Sequence, residues 1–229
     1  MRAGYTAYTD QGVVQIDSSF KTATSAFRQT YTGPYTNESN TAFIGTWYSF
    51  TINVPIDVQY LFFSSPVDRS IGLIKKSGAS HTFRTSAQGT IEIYGFKDAP
   101  TPQASSSGSG FQLFDENGNL TFDSDSNFMK IANVFTVPTT GVKVEPWPVP
   151  GRSYAVSLGV YAKSWRGVAQ AGLPWAVLMS YCVRVGPTSG GGGYAAIAAR
   201  PAGGGGDSPP GNTPQPSPPT AMIVDVTGL

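Results

Sequence analysis

Two stretches of this chain are the same segment written twice. The first is Gly4-Tyr5-Thr6-Ala7-Tyr8-Thr9-Asp10-Gln11-Gly12-Val13-Val14-Gln15-Ile16-Asp17-Ser18. The second is Gly110-Phe111-Gln112-Leu113-Phe114-Asp115-Glu116-Asn117-Gly118-Asn119-Leu120-Thr121-Phe122-Asp123-Ser124. They align without a gap at an offset of 106 residues, matching Tyr8 to Phe114, Gly12 to Gly118, Ile16 to Phe122 and Asp17 to Asp123. Each copy reads as a β-hairpin. Val14 and Ile16, like Leu120 and Phe122, stand two apart, which buries one strand face. Between the arms sits Asn117-Gly118, a pair that tolerates positive φ and marks a tight hairpin turn. The first copy keeps only the glycine, as Gln11-Gly12. The closing Asp17 and Asp123 suit an Asx-turn at a strand end.

The repeat divides the chain into two β modules, 1–99 and 110–229. The stretch 100–109, rich in Pro and Ser, reads as the linker. Alternation marks further strands at Tyr48, Phe50, Ile52 and Val54, at Val156, Leu158 and Val160, and from Val177 through Val185. Ile91-Glu92-Ile93-Tyr94 closes the first module, and Ile223-Val224-Asp225-Val226 takes the matching place in the second. No stretch carries helical periodicity with caps. The expected fold is all-β, two tandem small sandwich-like modules. The second would hold an extended Gly/Pro-rich loop over 186–220, with four glycines at 190–193 and four more at 203–206. Such a composition is disordered in isolation and suits an arm that clamps a neighbouring subunit.

Charged residues make up 13% of the chain and the net charge is +1, so nothing steers it toward nucleic acid or an anionic membrane. No apolar run reaches the roughly 20 residues that span a bilayer. The first residues lack the apolar core of a secretory signal. The single cysteine, Cys182, sits in an apolar strand and reads as a packed thiol.

Catalytic and metal readings find little support. Asp115, Asn117 and Asn119 alternate like calcium ligands. However, an EF-hand loop needs Gly and Glu where this chain has Leu120 and Ser126. Hairpin chemistry explains the same residues, and no metal or cofactor is expected. His81, the only histidine, reads as exposed on a strand or turn, with no ligand or nucleophile beside it. An enzyme is not expected. Trp147, Trp165 and Trp175 read as loop tryptophans. They suit capping of the core, anchoring of a protein interface, or stacking on a sugar ring.

The doubled motif resembles a recurrent module of tailed-bacteriophage tail proteins: a glycine and aromatic strand, Asp-x-x-Gly or similar, then an apolar strand ending in Asp-Ser. The second copy fits closely, and the first departs at Thr9 and Gln11. The resemblance implies a non-enzymatic virion component of the tail tip, baseplate or fibre, made in the bacterial cytoplasm. It implies assembly with sister subunits, as a trimer or larger ring, and with other tail proteins. A receptor-binding module that holds host-surface glycan through its loop aromatics is the alternative.

Overall fold

The computed structural model describes residues 6–8, 14–17, 23–38, 45–98, 112–115, 117–118, 120–123, 127–159, 163–170, 173–201 and 217–229. They form eighteen strands and no helix. In the first half these are β1 (Thr6–Tyr8), β2 (Val14–Asp17), β3 (Ala23–Tyr31), β4 (Thr36–Asn37), β5 (Tyr48–Asn53), β6 (Tyr60–Ser64), β7 (Arg69–Ser77), β8 (Ser80–Thr85) and β9 (Ile91–Asp98). In the second half they are β10 (Gln112–Phe114), β11 (Leu120–Asp123), β12 (Lys130–Thr136), β13 (Val142–Pro146), β14 (Tyr154–Leu158), β15 (Lys163–Gln170), β16 (Leu173–Val185), β17 (Ser189–Pro201) and β18 (Thr220–Asp225). Among the described residues no helix is long and apolar enough to cross a membrane.

The repeat holds to the residue in the hairpins. In β1–β2, Thr6 pairs with Asp17 and Tyr8 with Val14, with a bulge after Ala7. In β10–β11, Gln112 pairs with Asp123 and Phe114 with Leu120, with a bulge after Leu113. These are the same pairs displaced by the repeat offset.

The remaining strands make two antiparallel sheets of a sandwich. One runs β12-β18-β14-β6-β9-β3; the other runs β13-β17-β16-β7-β8-β5-β4, with β15 also paired to β16. From the outer edges inward the order repeats. β3-β9-β6 mirrors β12-β18-β14, and β5-β8-β7 mirrors β13-β17-β16. Each half is thus a small two-layer β unit, and the two are fused edge to edge. Val156 of β14 meets Phe63 of β6, and Val183–Val185 of β16 meet Arg69–Ile71 of β7, both antiparallel. Equivalent strands meeting antiparallel is what a two-fold relation requires. The main core is shared: Phe50, Phe63, Ile71, Phe83 and Ile93 from the first half pack with Val156, Tyr181, Val183 and Ile223 from the second.

The six-stranded sheet also closes on itself. Thr24 bridges Phe128, Ser25 N–H donates to Asn127 C=O at 2.7 Å, and Met129 N–H donates to Ala23 C=O at 2.7 Å. The residues just ahead of β12 therefore lie on the outer edge of β3. Adjacent strand residues face opposite ways. Phe63 accordingly enters the main core while Phe62 joins a second cluster with Tyr94, Phe96, Ala155 and Val224. Ala23 and Met129, at the closure, belong to that second cluster.

The loop expected over 186–220 is corrected over residues 189–201. Residues 189–201 form β17, paired along β16 and, through Gly190–Gly193, with β13. The glycine run is there because the strand is squeezed. A Cβ on Gly190 would lie 2.2 Å from Val156 Cγ2, and one on Gly192 would lie 2.8 Å from Val137 Cγ2. One on Gly191 would lie 2.0 Å from the Lys143 carbonyl oxygen. Glycine inside a strand marks such close approach. Residues 202–216 and the linker at 100–109 lie outside the described residues.

Candidate functional site

The turn of the second hairpin is built by Asp115. Its carbonyl accepts the Gly118 N–H at 3.0 Å and its carboxylate accepts the Asn117 N–H at 2.9 Å. That is an Asx-turn, set between β10 and β11. Gly118 takes the left-handed conformation, at φ +79°. Sequence reading did not assign this role to Asp115, and the turn expected after Asp123 falls on residues 124–126, outside the described residues. Asp17 and Asp123 end their strands at equivalent register positions. Gly12 lies outside the described residues. Among the described residues no group of three or more His, Cys, Asp or Glu could hold a metal ion.

The tryptophans do not form one loop cluster. Trp165 lies on β15, paired with Leu178, and Trp175 lies on β16, paired with Val168 and Pro201. The loop assignment for these two is corrected: Lys163–Gln170 and Leu173–Val185 pair along a continuous antiparallel ladder. Trp147 follows directly on β13. Its indole N–H donates to Pro187 C=O at 2.9 Å, its ring stacks on Tyr154 at 5.5 Å, and it packs half-buried against the main core. Those partners fix it as a cap on the sandwich.

His81 is a further correction. It lies on β8, where burial alternates, and is only 6% exposed, on the same face as Phe83 and Thr85. Burial, with Lys76 nearby, pushes its imidazole below the usual range, which keeps it neutral. His81 lines two adjoining cavities, of about 280 Å³ and about 180 Å³, that also share Val58 and Lys76. The larger is walled by Leu73, Phe83, Leu158 and Met222. A neutral ring among apolar walls offers shape, with no acid–base partner in place. Cys182 is also inert: it is 1% exposed and burial pushes its thiol up to about 12.

The arrangement with most scope for recognition is β13. It ends the eight-stranded order, with no described strand beyond it. Gly141 C=O accepts from Tyr194 N–H at 3.3 Å, and Trp147 N–H donates to Thr188 C=O at 2.9 Å. In an antiparallel ladder this direction alternates. Lys143 and Glu145 therefore turn their backbone groups toward β17, and Val142 and Val144 turn theirs outward. Val142 is 55% and Val144 47% exposed. The equivalent edge in the first half is occupied: β4 lies on β5, pairing Thr36 with Ser49 and Asn37 with Tyr48.

Family models, curated proteins and solved structures were each compared with the chain, and none matched.

Proposed function

We propose that the protein is a structural component of a bacteriophage tail, at the tip, baseplate or fibre, which assembles with sister subunits and neighbouring tail proteins. The observation that supports this is the doubled hairpin. The resemblance to tail modules rests on that motif, and its two copies share register and bulge to the residue. The open edge at β13 adds to it, since it leaves backbone groups of the eight-stranded sheet facing outward among the described residues. Glycan recognition through loop aromatics draws less support. The ring of Trp147 is engaged by Tyr154 and its N–H by Pro187.

Mass spectrometry of gradient-purified phage particles whose genome encodes the chain tests this. The chain is expected at a fixed copy number per particle, in a multiple set by the tail's symmetry. Its absence from intact, infectious particles sinks the reading.

A further inference from the structure

We propose that β13 is a self-complementary edge through which two copies of this chain pair antiparallel, extending the eight-stranded sheets of both across a two-fold axis. The occupant is specified by the strand's own sequence. Val142-Lys143-Val144-Glu145-Pro146 pairs with itself about Val144. In that register Lys143 of one copy stands opposite Glu145 of the other, twice, and Val144 stands opposite Val144. Opposite charges directly across two strands stabilise the pair, and like charges oppose it.

The backbone agrees with that register. Val144 turns its N–H and C=O outward, so the central Val144 pair exchanges two hydrogen bonds. Val142 N–H reaches the second copy's Pro146 C=O. Pro146 has no N–H to return, so the contact carries four bonds where an all-donor strand would carry six. The proline and the lysine are also the means by which edge strands avoid indiscriminate pairing. Here they leave one register with its charges matched. Within a single copy Lys143 Nζ lies 3.3 Å from Glu145 and 4.8 Å from the centre of the Phe135 ring, so pairing across the axis exchanges the intrachain ion pair of each copy for two between copies.

The fold contains two precedents. Equivalent edges of the two halves already join antiparallel, β6 to β14 and β7 to β16. The counterpart of β13 in the first half, β5, already carries a strand on its outer edge. The proposal does not rest on the tail reading, and a two-fold edge contact is separate from any ring contact.

Light scattering of the full chain at about 0.1 mM and a Val144→Cys variant test it together. In the pairing, the two Val144 Cα atoms stand about 5.5 Å apart, within disulfide reach. The buried Cys182 supplies no competing thiol. The expected result is a dimer by mass and rapid oxidation of V144C to a linked dimer. Val149→Cys, exposed but off the strand, should cross-link at least tenfold more slowly. K143E and E145K should each raise the dissociation constant about tenfold, and the double swap K143E/E145K should return it to within about threefold of the parent. A monomer at that concentration, equal cross-linking of V144C and V149C, or a double swap no better than the singles would each overturn the proposal. Circular dichroism of each variant separates loss of pairing from loss of fold.

Discussion

At the scale of single residues, His81 shows how burial converts a polar side chain into core. Its ring is held neutral in the folded chain, whereas an unfolded histidine takes up a proton near pH 6.5. The unfolded state therefore binds more protons as pH falls below about 6.5. Stability should be intact above that value and decline beneath it. Thermal unfolding at pH 7.5 and 5.5 is expected to show a lower Tm at the acid end. His81→Leu, of similar bulk, should flatten that difference. Asp225 acts in a different window. Burial raises its carboxyl, but hydrogen bonds from Thr227 and Arg152 outweigh this and hold it low on balance. Its contribution is present above the ordinary carboxylate range and is lost only as pH falls below about 4. The two effects can therefore be told apart. From sequence, His81 looked exposed because Ser80 and Thr82 flank it. The alternation that buries it, His81-Phe83-Thr85, becomes meaningful only once β8 has its place between β5 and β7.

At the scale of elements, the glycine run of β17 is the clearest case of a signal present in the sequence and misread. Four successive glycines look like a flexible loop because nothing local holds them. Here they are held by neighbours on both sides, β13 and β16, and selected by lack of room. Two alanine substitutions separate lack of room from turn geometry. Gly191→Ala places a methyl 2.0 Å from a backbone oxygen of β13, which no rotamer change relieves. It is expected to cost about 3 kcal/mol or more, as overpacking against backbone does. Gly118→Ala meets nothing within 4 Å and pays only for its φ of +79°, about 1 kcal/mol. Urea unfolding of the two variants should keep that order. By contrast, the strands over 48–54 and 177–185 and the closing strands β9 and β18 were legible, because alternation survives burial on one face. The paired hairpins were legible because they are local. The tryptophans of β15 and β16 were not: a short Lys-Ser-Trp-Arg-Gly run lacks apolar alternation, and only its long-range partner makes it a strand.

At the scale of the whole molecule, the two related halves were readable but their fusion was not. Edge pairing between β6 and β14, or β7 and β16, joins residues far apart in sequence and leaves no local mark. The shared core gives the fusion a testable consequence. A fragment of residues 1–99 leaves the junction-side edges of β6 and β7 open and Phe63 and Ile71 without their partners across the junction. It is expected to be unfolded or aggregated by circular dichroism and light scattering. Fragments 1–104 and 105–229, produced together, should associate into a folded pair, because the sheets do not depend on the join between them. A stable monomeric 1–99 would show that the halves are independent after all.

The same junction matters during synthesis. A ribosome adds residues at about 5–20 per second, so the first half emerges on the order of 10 s before the last strand of the second. Throughout that interval β6 and β7 are the open margins of an incomplete sheet, and another nascent chain carries identical margins. Crowded polysomes therefore bring together surfaces that match by design, and a chain can take its second half from a neighbour. Domain-swapped dimers are the expected by-product of crowded synthesis, to be read as a dimer peak that grows with expression rate in size-exclusion chromatography.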